Sequence, residues 1–500
     1  MRPTVYLVGA GPGDVDLVTV KGYELIKKAD CIVYDHLANP VFFKCVKEGC
    51  ELVYVGKKAG AHTMTQDNIN RLLVRKARKN HIVVRLKGGD PFIFGRGAEE
   101  AAFLGKNKID FEIVPGVTSA IAVPAYAGIP LTERSMTSSV GFITGHEDPT
   151  KGASSIDWEA LVKGLGTMVF LMGIGNLEAI TEKLVACGKP GNTPVALIQE
   201  GTTAKQRTVT GTLKNIARKG REKKISAPAI IVVGETVRLR NALTWFETKP
   251  LFAKKVVVTR TREQASVLSS KLSGMGADVI EVPTIEIVPI KADAKLRRAF
   301  SGTAYDWVFF TSCNGVNEFR KFLARNGKDS RIFGRGKVCA IGTETGAALR
   351  AIGIRPDYIP PSFVAEEIVK HFGKKCGVGL RALVLSSAIA RCVLPLGLKR
   401  AGFEVEMIDL YDTVIPKGSK ELIEKALDGG VDMVTFTSSS TVVNFLALLG
   451  KNYKRALNGV KFASIGPVTS GALKRAGLKP HVEAKTYTID GLVDAINSCK

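Results

Sequence analysis

The stretch VFFTSCNGVNEF at 308–319 returns as VTFTSSSTVVNF at 434–445, and IGTETGAALRAIGIRP from Ile341 returns in register as IGPVTSGALKRAGLKP from Ile465. Pairing Thr311 with Thr437 gives an offset of 126, and Gly342 with Gly466 one of 124. So long a period excludes a stacked solenoid and predicts two related α/β lobes. Each copy reads as an apolar strand, a Thr-Ser turn and a helix with Val and Phe three apart. Extended segments near 283–290 and 409–416 would join the lobes and leave a cleft between them. Ligands of α/β folds sit at the carboxyl ends of strands, where both Thr-Ser turns stand. The plainer alternative, that these hydroxyls only cap the helices that follow, stays open.

A chain of 500 residues is too long for one core, and length alone suggests about three compact units. Strand-like and helix-like runs alternate throughout, predicting α/β architecture with mainly parallel sheets. The segment RLRNALTWFETKPLFAKK at 238–255 separates two β-branched openings, VYLVGAG and KVVVTRT, and places a boundary near Lys249 and Pro250. The expected domains are 1–245 and 251–500, the second with lobes of approximately 251–286 plus 415–500 and 288–412.

Composition narrows the function classes. The net charge of +24 is shared, with +10 in residues 1–250 and +14 in 251–500, so it is no basic tail. Nucleic acid, an anionic membrane surface and a small polyanion compete for such a charge. Aromatic content of 7% and the lack of an arginine stripe, RNP-like motif or zinc finger favour the small polyanion and speak against nucleic acid. Nine cysteines stand singly without a CxxC pair, against a disulfide framework or a metal site. MRPTVYLVGAGPGD enters a strand without an apolar leader, and no apolar run approaches the roughly 20 residues of a membrane span. A cytoplasmic protein without membrane contact is expected.

The first half carries three strand-to-glycine turns: VYLVGAG into Gly11-Pro12-Gly13-Asp14, VVRL into Gly88-Gly89-Asp90, and FEIV into Pro115-Gly116-Val117-Thr118. Glycine at a strand end permits positive φ and lets a ligand reach the main chain. GAGPGD is not a dinucleotide fingerprint, because it lacks the third glycine at the required offset and proline stands inside the turn. With VYDHL, VGKKAG, RLKGGDPFIFGRG, VPGVTSA and TSSVGFITGHE, these turns resemble uroporphyrinogen-III C-methyltransferase, of the tetrapyrrole methylase class, over about residues 3–240. The resemblance implies a two-lobed α/β homodimer, formed through this half, with S-adenosylmethionine as methyl donor in the cleft between lobes. It implies cofactor contacts from Pro12, Gly88, Gly89, Asp90, Ile93, Thr118, Ser119, Met172 and Gly201. It also implies a proton acceptor at Asp35, a proton donor at Lys57 and substrate binding by Arg134. His36, Ala98 and Glu133 depart from the family pattern and bear on recognition of substrate carboxylates.

Residues 251–500 are similar to uroporphyrinogen-III synthase through VFFTS, DLYDTVIP, VTFTSSSTVVNF and FASIGPVTSGALKRAGL. That family closes hydroxymethylbilane with inversion of ring D, using no metal or organic cofactor. The resemblance implies an acid at Tyr411 and a substrate shell of Thr311, Ser312, Thr437, Ser438, Gly466 and Thr469. Joined, the halves predict a bifunctional enzyme that turns hydroxymethylbilane into uroporphyrinogen III and methylates it twice to precorrin-2, for sirohaem or cobalamin. Two alternatives differ in kind. One is a methylase of the same fold acting on RNA or protein, fused to a basic binding domain; the other is a module that binds these ligands without turnover.

Overall fold

The computed structural model describes residues 4–56, 64–146, 155–259, 262–302, 304–360, 365–373, 377–388 and 393–499. The chain divides into two compact units, Met1–Lys255 with Leu272–Asp278, and Val256–Lys271 with Val279–Lys500. Among the described residues no helix is long and apolar enough to cross a membrane.

The first unit holds two five-stranded sheets. Strands β1 (Thr4–Gly9), β2 (Cys31–Tyr34), β3 (Glu51–Tyr54), β4 (Ile82–Lys87) and β5 (Asp110–Val114) pair in the order β3-β2-β4-β1-β5, all parallel. Their near-continuous apolar runs follow from burial on both faces. Val5, Leu7 and Val83 pack with helices Gln66–Ala77 and Gly97–Lys106, while Val8, Val84 and Leu86 pack with Ile26 and Phe42 on the other side. Because every strand runs the same way, all the carboxyl ends lie along one edge, and so do the loops carrying the glycine turns.

The second sheet contains β6 (Val140–Thr144), β7 (Thr167–Leu171), β8 (Pro194–Gln199), β9 (Arg207–Thr212) and β10 (Ala229–Val233), in the order β6-β7-β10-β8-β9. Only β6 and β7 are parallel; the other three pairings are antiparallel. The expectation of mainly parallel sheets fails here, because β8 and β9 are joined directly by the turn at 200–206, which suits an antiparallel hairpin. Helix Ser119–Tyr126 leaves the tips of the first sheet and buries Ala120 and Val123 against Val169, Ala196 and Ile198 of the second.

The second unit also has two sheets. One joins β11 (Lys255–Val258) and β12 (Asp278–Glu281) to β18 (Met433–Phe436), β19 (Lys461–Ser464) and β20 (Val482–Glu483). The other contains β13 (Glu286–Pro289), β14 (Trp307–Phe310), β15 (Lys337–Ala340), β16 (Arg381–Ser387) and β17 (Glu404–Val414), in the order β13-β17-β16-β14-β15. The two connecting segments pair antiparallel with each other, from Glu286 opposite Val414 to Pro289 opposite Tyr411. The repeat is visible in the packing. Phe310 meets Phe319 edge-on at 5.3 Å between ring centroids, and Phe436 meets Phe445 at 5.4 Å. All four rings are fully buried, each contributing about 1.5–3 kcal/mol of hydrophobic stabilisation.

Candidate active site

The three glycine turns of the first sheet close on one another. A Cβ on Gly9 would lie 2.5 Å from Gly116 Cα, and one on Gly116 would lie 2.3 Å from Gly89 O. Gly9 and Gly116 are therefore demanded by main chain packing on main chain. Gly88 is hemmed in as well, since its Cβ would fall 2.5 Å from Leu37 Cβ. Gly89 differs. It adopts φ 67°, exchanges hydrogen bonds with Gly11, and would have nothing nearer its Cβ than Ser119 N at 3.7 Å. Of the tip glycines it is the one beside which a Cβ would find the most room.

Asp90 holds this arrangement. Its Oδ1 accepts from the amides of Phe92 (2.7 Å) and Ile93 (3.1 Å), and its Oδ2 from Gly116 N (2.9 Å). The carboxylate thus shapes the loop after β4 and ties it to the end of β5. Thr118 caps helix Ser119–Tyr126, its hydroxyl accepting from Ala120 N at 3.3 Å. Ile93 is exposed, and Met172 follows β7 at φ 55° with 53% of its surface accessible, so neither is a core residue. Five of the non-glycine residues at positive φ, Phe94, Arg96, Met172, Glu200 and Thr202, lie on the same loops as the expected site residues. Such strain concentrates where a fold over-determines a functional loop.

Half-buried Pro12 lies in the turn that links the two sheets. Asp14 N donates to Thr202 Oγ1 (3.1 Å), and Tyr126 OH donates to Asp14 Oδ2 (2.8 Å). Gly201 is required because helix Ser119–Tyr126 passes beside it; a Cβ there would lie 2.4 Å from Val123 Cγ1.

Asp35 stands at the end of β2. Its Oδ1 accepts from Leu37 N (3.1 Å), while its Oδ2 pairs with Arg85 Nη2 at 3.2 Å. Behind it lies a charged cluster that the sequence reading missed. Arg85 Nε, Lys87 Nζ and Gln66 Nε2 all donate at 3.2 Å to Oε1 of Glu100, which is 0% exposed. Burial pushes the Lys87 amine down, helped by Arg85, while Glu100 and Asp35 oppose the shift. One signal for the cluster was present: Arg85 and Lys87 sit two apart in an apolar strand and so share a face. Glu100 Oε2 has no hydrogen-bond partner among the described residues. Glu100→Gln removes the anion facing two buried cations and is expected to lower the stability of this unit by about 3 kcal/mol in urea unfolding. A loss below about 1 kcal/mol would mean that Asp35 and the carbonyls of Val33 and Leu86 already suffice to hold the two cations.

Lys57 lies outside the described residues. Arg134 is exposed at the tip of a turn closed by Glu133 O, which accepts from Met136 N (3.0 Å) and Thr137 N (2.9 Å). The Glu133 carboxyl is engaged within that turn, held below its usual range by the Ser135 hydroxyl and amide.

In the second unit Ser312 and Ser438 have nearly the same backbone, φ −161° ψ 158° and φ −162° ψ 161°. Both cap helices: Ser312 Oγ accepts from Gly315 N (3.1 Å) and Ser438 Oγ from Thr441 N (3.3 Å). The two differ in their further partners. Ser312 Oγ shares a hydrogen with Tyr411 OH at 2.8 Å, whereas Ser438 Oγ pairs with Ser440 Oγ at 2.9 Å. Thr311 donates to Leu385 O (3.2 Å). Tyr411, the implied acid, is 6% exposed on β17 between β13 and β16, with its hydroxyl turned to Ser312. Thr437, Ser438, Gly466 and Thr469 belong to the other sheet's tips. Gly466 begins helix Pro467–Arg475, and Thr469 is buried within it, as its twin Thr345 is in helix Thr343–Ala351.

Two family models match the chain: Tetrapyrrole (Corrin/Porphyrin) Methylases over residues 4–217, and Uroporphyrinogen-III synthase HemD over residues 266–494. The porphyrin biosynthesis protein HemD of Ruminiclostridium josui is 37% identical over 494 residues, 98% of this chain and 97% of that protein. An S-adenosyl-L-methionine-dependent uroporphyrinogen III methyltransferase of Methanosarcina barkeri is 56% identical over 239 residues, 48% of this chain and 94% of its own. The crystal structure of uroporphyrin-III C-methyl transferase from Thermus thermophilus complexed with S-adenyl homocysteine is 37% identical, covering 47% of this chain and 94% of that one with a TM-score of 0.40.

Proposed function

Since the chain belongs to the family that fuses a tetrapyrrole methylase to a uroporphyrinogen-III synthase, we propose that it makes precorrin-2 from hydroxymethylbilane, with residues 251–500 closing the ring and residues 1–245 methylating it. The synthase match over 266–494 replaces the alternative of a basic binding domain. S-adenosylmethionine is the methyl donor of the first half. The second half works through hydrogen-bond donors and needs no organic cofactor.

The observation that supports the reading is the open space beside Gly89, where a Cβ would meet nothing nearer than Ser119 N at 3.7 Å and Thr118 Cα at 3.8 Å, at the converging tips of β1, β4 and β5. Main-chain groups there suit the polar ends of a nucleotide and an amino acid. Gly88, Asp90 and Ile93 continue that wall on one side, Pro12, Thr118 and Ser119 on the other. Met172 and Gly201 supply the part that comes from the second sheet. Methyl transfer to carbon leaves the macrocycle positively charged, and Asp35 accepts the proton whose loss restores it. Lys57 and Arg134 serve the substrate carboxylates or the returning proton. In the second half Tyr411 assists departure of the substrate hydroxyl, within a shell of Thr311, Ser312, Thr437, Ser438, Gly466 and Thr469.

The purified full chain, given hydroxymethylbilane alone, is expected to yield uroporphyrinogen III by mass spectrometry and chromatography. With S-adenosylmethionine added it should yield a product heavier by two CH2 units, one for each proton replaced by a methyl group. Cyclisation without any methylated product would overturn the methylase half of the reading, and methylation only of externally supplied uroporphyrinogen III would overturn the synthase half.

A further inference from the structure

The tripeptide Trp245-Phe246-Glu247 has no role in the reactions above, yet two chains of contacts run from it to Asp14 in the GAGPGD turn. The polar chain starts at Glu247, whose Oε1 accepts from Gln206 Nε2 (2.9 Å) and Thr208 Oγ1 (2.7 Å) and whose Oε2 accepts from Arg240 Nη2 (2.6 Å). An ionised carboxylate offers only acceptors, so the Gln206 amide must turn its NH2 group toward it. That leaves Gln206 Oε1 facing Thr202 N at 2.9 Å. Thr202 is buried at φ 66°, and its hydroxyl accepts from Asp14 N. The second chain is aromatic. Tyr126 packs on Trp245 and Phe246 at 5.1 and 4.8 Å between centroids, Trp245 Nε1 donates to Ala125 O (3.0 Å), and Tyr126 OH reaches Asp14 Oδ2.

Resting on the cofactor reading above, we propose that Glu247 is a positioning residue for S-adenosylmethionine: it fixes the Gln206 amide, which holds the Thr202 turn and through it the Asp14 end of the cofactor loop. Burial alone would raise the Glu247 carboxyl, but the donors from Gln206, Thr208 and Arg240 outweigh it and keep the group ionised at neutral pH. A carboxylate is needed because it alone accepts from three donors at once. Glutamine at 247 has one oxygen for two sides: turned to Gln206 and Thr208 it sets its NH2 against the Arg240 guanidinium, and turned to that charged donor, the stronger of the two, it sets its NH2 against the Gln206 amide, which is then free to flip and leave the Thr202 amide without its acceptor.

Calorimetric titration of the full chain with S-adenosylhomocysteine, well below the unfolding temperature, reads this out. Glu247→Gln is expected to weaken binding about tenfold. In turnover it should raise KM for S-adenosylmethionine by a similar factor, leave kcat within twofold and leave cyclisation by the second half unchanged. Glu247→Asp should recover part of the affinity. Gln206→Met breaks the same link from the other side and is expected to match Glu247→Gln, which keeps the idea testable should either variant fail to fold. A lowered melting temperature with the dissociation constant within twofold of the parent would show a purely structural brace and overturn the proposal. If the parent chain itself gives no heat, the cofactor reading falls and this inference with it; if only the variants bind normally, this inference falls alone.

Discussion

Asp35→Asn is expected to slow methyl transfer by about 10²–10⁴-fold while cyclisation of hydroxymethylbilane continues at the parent rate. The substitution is nearly isosteric. The bond from Leu37 N to Oδ1 is retained, so the turn after β2 keeps its shape. Arg85 is also held by Glu100 Oε1, Val33 O and Leu86 O, so it stays in place when its ion pair with Asp35 is lost. What disappears is an acceptor able to take a full proton and a negative charge beside the cationic macrocycle. Initial rates from uroporphyrinogen III, with S-adenosylhomocysteine affinity measured in parallel, separate these losses from a damaged cofactor site. Affinity should remain within threefold of the parent. A variant that still methylates at a third of the parent rate would remove Asp35 from the chemistry and move the search for the acceptor to the loop after β4.

The buried cluster behind Asp35 shows why only part of this site was legible in the sequence. Arg85 and Lys87 betray themselves by standing on one face of an apolar strand. Glu100, the group that makes their burial tolerable, lies on a helix beyond the GGDPFIFGRG loop, and no local pattern connects them. The glycine turns divide in the same way. Their place at strand ends follows from composition and order, whereas the reason for Gly9 and Gly116 is an approach of three non-adjacent chain segments that only the fold brings about. In the second unit the Thr-Ser turns were legible as helix caps, because a hydroxyl before a helix satisfies a free amide wherever it occurs. The second sheet of the first unit was misjudged because alternation of apolar residues does not state strand direction. Only the short 200–206 turn hints at the antiparallel pairing. The extended connectors near 283–290 and 409–416 were read correctly as extended, but their pairing with each other depends on contacts more than a hundred residues apart.

Tyr411→Phe is expected to produce the converse of Asp35→Asn: cyclisation falls by about 10²-fold or more, and methylation of added uroporphyrinogen III is unaffected. The side chain is packed among Ile408, Leu410 and Phe310 in the core of its lobe, so the phenylalanine ring fits the same space. The stability cost should be that of one hydrogen bond, about 1 kcal/mol, because Ser312 keeps its bond from Gly315 N. Burial changes what the tyrosine can do. The phenol is 6% exposed and its hydroxyl lies 2.8 Å from Ser312 Oγ, and we propose that the two hydroxyls act as a pair. Ser312→Ala therefore provides the sharper test. If the pair acts together, this variant loses cyclisation as Tyr411→Phe does, beyond the roughly 1 kcal/mol that losing the cap costs in stability. If Tyr411 acts alone, cyclisation in Ser312→Ala stays within a few fold of the parent. Should both variants cyclise at the parent rate with ring D inverted, the acid is neither hydroxyl, and inversion is enforced by the shape of the cleft and the main-chain amides at its helix ends.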